Sequence, residues 1–262
     1  MTALPESSPA AASAIPPAMS PARRTTTDPA SPEQQQQQGP KFTLPKLRLE
    51  FRDITHPGAQ IFFTSVHASD VITRATQNVF RLLYRSPGDP KTCAPPTRSV
   101  TFILRDMPGV AYTTVTELDN DHKEIHFALN HIVSTGKARA GAEIAGVITH
   151  ELVHCLQWNG RATCPGGLVE GVADWVRLRC DLAPPHWKRE ADVKWDAGYQ
   201  HTAFFLDYLE GRFGEGFVWR LNEKLRVGRY DEKRFWTELT STTVDALHKA
   251  YVEHLGRDAD GS

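Results

Sequence analysis

Residues 142–160 read AEIAGVITHELVHCLQWNG. Within this stretch, His150-Glu151-Leu152-Val153-His154 sets two histidines four positions apart, which on an α-helix is one face, one turn above the other. Both imidazoles can then turn to the same point, where one tetrahedral Zn²⁺ would accept them. Glu151 projects beside the pair, close enough to take a proton from metal-activated water without being a ligand itself. Ile144, Val147, Ile148 and Leu152 flank the cluster, so a helix expected over about Ala142 to Trp158 is a buried one. Buried His and Glu are costly without partners, and a metal is a partner. The competing reading is of two ordinary helix histidines. Motifs this short also arise by chance, so a third ligand has to be found.

The chain offers one in Gly167-Leu168-Val169-Glu170-Gly171-Val172-Ala173-Asp174-Trp175. Pro165-Gly166-Gly167 makes a turn that lets a second helix fold back beside the first. Leu168, Val169, Val172, Ala173 and Val176 give that helix an apolar face and direct Glu170 inward. Two histidines and a carboxylate are the donor set of a catalytic zinc that keeps its fourth position for water. Asp174, one turn further on, is the candidate outer partner for the second ring N–H of one histidine. The alternative is a pair of surface carboxylates on an amphipathic helix. A three-histidine HExxHxxGxxH site is excluded by the residues themselves, since its third histidine falls on Gly160 and its glycine on Gln157.

Outward from this centre, strand signals come first. KFTLPKLRLEF (41–51) alternates apolar and charged residues, and RSVTFILR (98–105) is rich in β-branched and aromatic residues. GVAYTTVTEL and KEIHFALNHI read as paired strands around Asp119-Asn120-Asp121. An amphipathic helix is expected from Ala68 to Arg85, capped by Ser69 or Asp70. Beyond Leu168 the pattern is mainly helical, with breaks at Pro184-Pro185, Gly211 to Gly216 and near Gly228. The expected class is α+β, a sheet covered by helices, with a helical carboxy-terminal part.

The first 40 residues hold eight of the 18 prolines, five consecutive glutamines and no aromatic residue. Such a segment buries too little apolar surface to offset its ordering entropy, so residues 1–40 are expected to be disordered, as are 257–262, around one domain over 41–256. A net charge of −1 argues against a nucleic-acid-binding surface. No run of 18 apolar residues calls for a membrane span, and a monomer is expected. The amino terminus lacks the pattern of a signal peptide, which makes intracellular the default expectation. The four cysteines, Cys93, Cys155, Cys164 and Cys180, form no CxxC pair and read as free, buried thiols.

The blocks HELVHCLQWNG, PGGLVEGVADWVRL, APPHW and WDAGYQHTAFFLDYLE, with GVAYT and KEIHFALNHI upstream, resemble the plant and fungal basic secretory protein family of zinc peptidases. The likeness runs from about Phe51 to Tyr251. It implies a zincin-type fold with an edge strand beside the HExxH helix, His150, His154 and Glu170 as zinc ligands, and Glu151 as the base. Members of that family are typically secreted, so the resemblance suggests secretion where the leader pattern does not, and the chain is not basic as the family name would have it.

For a peptide substrate, the oxyanion formed on attack needs a donor besides the metal. Tyr199 is the candidate and His201 the second choice; Tyr199 reads equally as a core residue holding a buried hydrogen bond. The strands around Tyr112 and His126 offer a backbone edge to an extended peptide, with His126 itself structural. Trp158, Trp175, Trp187 and Trp195 read as core or cleft wall. Two other functions fit the same residues: a non-catalytic binding or defence-type protein on this fold, and a zinc hydrolase of a non-peptide substrate. Glu151 separates the first from an enzyme, because a closed structural zinc site has no use for a base there.

Overall fold

The computed structural model describes residues 41–90 and 92–260. The expected disorder of residues 1–40 lies outside the described residues.

Strand β1 (Lys46–Phe51) is followed by helices α1 (Pro57–Ser65) and α2 (Ala68–Leu83), then strands β2 (Ser99–Arg105), β3 (Ala111–Val115) and β4 (His122–Ala128). The rest is helical: α3 (Leu129–Thr135), α4 (Lys137–Leu156), α5 (Gly166–Arg179), α6 (Tyr199–Phe213), α7 (Phe217–Val227), α8 (Glu232–Thr240) and α9 (Val244–Asp260). The class is α+β, as expected. Helix α9 runs into the segment expected to be disordered after residue 256.

The sheet order is β1-β2-β4-β3. β1 pairs parallel to β2 and β2 parallel to β4, while β3 pairs antiparallel to β4 and forms an edge. The β3–β4 hairpin matches the expected pair, and α1 and α2 supply the crossover that parallel β1 and β2 require. Alternation sorts the two faces. Phe102 and Leu104 of β2 lie in register with Ile125 and Phe127 of β4 on the core side, with Val100 on the same face of β2, all at most 1% exposed. Burying each such side chain contributes roughly 1.5–3 kcal/mol.

Several boundaries differ from expectation for identifiable reasons. β1 starts at Lys46, not Lys41, because Pro45 has no N–H to give the ladder; Lys46 N–H is the first donor, to the Arg98 carbonyl. KEIHFALNHI is strand only to Ala128. Ala111, the first residue of β3, is paired with Phe127, so the partner runs out and Leu129 and Ile132 bury themselves from helix α3 instead. Helix α2 is capped by neither Ser69 nor Asp70: His67 holds the N-cap without a side-chain hydrogen bond. Helix α1, for which the sequence pattern gives no expectation, opens with Pro57, and His56 Nδ1 accepts from Gly58 N–H at 3.0 Å.

α4 runs through the centre of the domain. Ile144, Val147, Ile148, Leu152, Val153 and Leu156 are all at most 3% exposed. α2 packs on one side of it, α5 on another, and β3 lies along it. Of the tryptophans, Trp175, Trp195 and Trp236 are in the core. The cysteines are free: Cys155 is buried and Cys164 and Cys180 half-buried, but Cys93 is exposed, contrary to expectation, because it lies in the extended segment before β2. Among the described residues no helix is long and apolar enough to cross a membrane.

Candidate metal centre

His150, Glu151 and His154 lie in the last two turns of α4, Glu170 and Asp174 in the first three turns of α5. Helix α5 is set against α4 by the connection 157–165, in which Gly160, Arg161 and Ala162 all take left-handed backbone conformations, with φ of 63°, 57° and 61°. Two of those three residues carry a Cβ, and the Gly160 N–H bond to the Leu225 carbonyl helps hold the turn.

One donor atom from each of His150, His154 and Glu170 lies within 4.8 Å of the other two. His150 Nε2 is 3.1 Å from His154 Nε2 and 3.1 Å from Glu170 Oε2, and His154 Nε2 is 3.6 Å from the same oxygen. Ligands about 2.0–2.2 Å from a tetrahedral zinc stand roughly 3.3–3.6 Å apart; one edge of the triangle lies in that range and the two of 3.1 Å lie just below it, so the cluster is close to the size this ion needs. The donor chemistry, two imidazoles and one carboxylate, also suits it. Glu170 is half-buried rather than turned fully into the interior, and its carboxylate opens on a cleft.

Asp174 is the deeper carboxylate, 3% exposed, and its Oδ1 is 2.7 Å from His150 Nδ1. Of the two histidines, His150 is thus the one it serves, which fixes that ring's orientation and directs Nε2 to the cluster. Burial works against a charge on His150, but the hydrogen bonds to Asp174 and then Glu170 outweigh it and lift its pKa to about 9. Burial raises the Glu170 carboxyl, yet hydrogen bonds from both histidines hold it well below the usual carboxylate range.

Gln157 enters the sequence analysis only as a mismatch to another motif, and the structure gives it a place in the site. It caps α4, and its amide nitrogen is 2.9 Å from His154 Nδ1 and 3.2 Å from the Val169 carbonyl. Amide nitrogen and oxygen exchange places by a half-turn, so Gln157 can present either a donor or an acceptor to that ring. It touches the outer nitrogen of His154 as Asp174 touches that of His150, but the Val169 carbonyl, which can only accept, favours the amide nitrogen on this side. The signal was available in the sequence: it lies three residues after His154, on the same helix face.

Glu151 is 6% exposed. Thr113 of β3 donates from Oγ1 to Glu151 Oε2 at 2.7 Å, while Oε1 makes no hydrogen bond among the described residues. Nothing local in the sequence marked Thr113, which reaches Glu151 only because the edge strand lies beside α4. His126 stays out of this group, stacked on Tyr112 with centroids 4.6 Å apart.

Tyr199 opens α6 and is 58% exposed, so it is no core residue. Its ring lies parallel to that of His150, with 6.3 Å between centroids. It holds a left-handed φ of 47° next to Gly198 at 88°. The nearby negative charge of Glu170, with some burial, raises its pKa, so the hydroxyl keeps its proton at neutral pH. His201 Nδ1 lies 3.4 Å from Glu190 Oε2 without aligning to it. His150, Glu151, His154, Gln157, Glu170 and Asp174 open on one cleft of about 1190 Å³, also lined by residues of β3 and by Trp187, Tyr199 and His201.

Fold and site together define a class: an α+β protein whose central helix and the helix after it bring two histidines and a glutamate into one metal-competent cluster, with a carboxylate beside it, on an open cleft. A sequence model of the family described as "peptidase of plants and bacteria" (BSP) matches residues 44–251. The chain belongs to that family, the one its motif blocks resemble, and its function is of peptidase type. No curated protein and no solved structure gives a match.

Proposed function

We propose that this chain is a zinc-dependent peptidase of zincin type, in which His150, His154 and Glu170 hold the ion and Glu151 is the general base. The observation that carries the reading is the donor triangle with edges of 3.1, 3.1 and 3.6 Å directly beside an unligated buried carboxylate. Bound there, zinc supplies a Lewis acid that brings the pKa of water to about 7 and polarises a carbonyl.

The chain's own residues do the rest. Asp174 and Gln157 hold the two imidazoles in position. Thr113 occupies Glu151 Oε2 and so turns Oε1 to the cleft, where it takes the proton from the attacking water and passes it to the leaving amine. Tyr199 donates its hydroxyl proton in a hydrogen bond to the oxyanion. Edge strand β3 pairs with the extended peptide.

The test is hydrolysis of quenched-fluorescent peptides by wild type and Glu151→Gln, before and after chelation and zinc restoration. Activity that disappears with chelator and returns with zinc, and falls about 10²–10⁴-fold in the variant, agrees with the proposal. Activity indifferent to chelator, or equal in the variant, refutes it.

A further inference from the structure

The cleft continues past the donor cluster toward the amino-terminal half of α4. Its wall there is formed by Glu143 of α4, Arg177 of α5, His131 of α3 and Trp187. Arg177 is 7% exposed, so its guanidinium carries a full charge largely out of bulk water. Its Nη2 donates to Glu143 Oε2 at 2.8 Å and its Nε to the Leu182 carbonyl at 3.0 Å, while the Trp187 ring lies 5.5 Å from its Cζ. Nη1 makes no hydrogen bond among the described residues.

Glu143 does not balance the charge around it. Besides Arg177 it meets His131 Nε2 at 3.1 Å and Arg139 Nη2 at 3.7 Å. Counted by themselves with His131 neutral, the two guanidiniums and Glu143 sum to +1; Arg139 stands outside the cleft lining and partly exposed, while Glu151, Glu170 and Asp174 carry negative charge further along the same cleft. The hydrogen bond from His131 and the charge of Arg177 prevail over burial and hold the Glu143 carboxyl at about 2. A plain tie between α4 and α5 would need one Arg and one Glu, with no excess charge beside a cleft. The sequence also clears room for the guanidinium: a Cβ on Gly146 would stand 2.5 Å from Arg177 Nε and 2.7 Å from Nη2.

We infer that this arm of the cleft is an anion-accepting subsite, in which Arg177 Nη1 donates to a carboxylate of the peptide substrate. The inference rests on the peptidase reading. Glu143 precedes His150 by two helical turns, about 10 Å. An extended peptide rises about 3.4 Å per residue. The carboxylate therefore lies within about three residues of the scissile bond. It is an Asp or Glu side chain, or the carboxyl terminus of a short peptide.

The test uses wild-type, zinc-loaded protein and matched quenched peptides. One set carries Glu or Gln at each of three positions either side of the cleaved bond; the other ends in a free acid or an amide. The expected result is a kcat/KM ratio of about tenfold or more for carboxylate over amide at one position, the effect of one charge-assisted hydrogen bond. Preference in the first set assigns a side chain, and in the second the terminus. Arg177→Gln should bring the ratio near one. If that variant does not fold, the wild-type ratio decides together with Arg139→Gln, a change at a partly exposed site, which should lower it severalfold. Cleavage of all peptides at equal rates, or preference for the amides, overturns this inference and leaves the peptidase reading standing. Cleavage of none overturns the peptidase reading and this inference with it.

Discussion

Asp174→Ala isolates what the outer partner of His150 does. The hydrogen bond it removes is 2.7 Å long, between a carboxylate 3% exposed and an imidazole 9% exposed, so water replaces it poorly. A charge-assisted bond of this kind is worth about 1.5–3 kcal/mol. If that energy orients Nε2 for the metal, its loss weakens zinc binding roughly 10–150-fold, at about 1.4 kcal/mol per decade. The range overlaps the 10–100-fold typical of removing such partners. Asp174→Asn keeps an acceptor but loses the charge, and should fall about midway on the logarithmic scale. The assay is competition for zinc against a chromophoric chelator, with circular dichroism to check that each variant is folded. A folded Asp174→Ala protein that binds zinc within about twofold of wild type would refute the argument.

Other consequences follow the same geometry. Gln157→Leu takes the partner from His154 and should weaken zinc about tenfold or more in the same competition, with Asp174 untouched. His150, with its pKa at about 9, is protonated at pH 7 in the zinc-free protein, so zinc binding there should release a proton; calorimetry in buffers of different ionisation enthalpy measures it. The same shift lies above the unfolded value of about 6.5, so in zinc-free protein it contributes stability that is complete below pH 6.5 and lost as pH rises through 9, readable in urea melts across that window. Gly167→Ala would set a Cβ 1.7 Å from the Asp196 backbone carbonyl, forcing α5 away from the segment that leads to Tyr199. It should cost about 3 kcal/mol or more in denaturant unfolding, since backbone cannot yield as a side chain does.

The His-His-Glu cluster was legible because its geometry is mostly local. His150 and His154 share one helix and Glu170 and Asp174 another, so helical spacing alone puts each pair on one face; the turn expected at Pro165-Gly166-Gly167 instead falls at Gly160 to Ala162, with Gly166 and Gly167 already in the first turn of α5. Which histidine Asp174 serves depends on the crossing of α4 and α5, which spacing does not encode. Thr113 and Arg177 reach their partners across 38 and 34 residues of chain, and no local pattern marks either. Tyr199 was readable as a position but not as an exposed one, since its place follows from the left-handed turn at Gly198. In the fold, the β3–β4 hairpin could be read from its turn residues. The parallel pairing of β1 with β2 could not, because parallel ladders are built by tertiary crossover rather than by a turn signal.

The most direct test of the central claim is a paired measurement on one preparation each of wild type and Glu151→Gln: zinc per chain by elemental analysis, and turnover of a casein or quenched-peptide substrate on the same sample. The account predicts about one zinc per chain in both and hydrolysis in the wild type alone, because Glu151 moves a proton and holds no metal. A wild-type protein that takes up no zinc after reconstitution, or a Glu151→Gln protein that hydrolyses as fast as wild type, would contradict it.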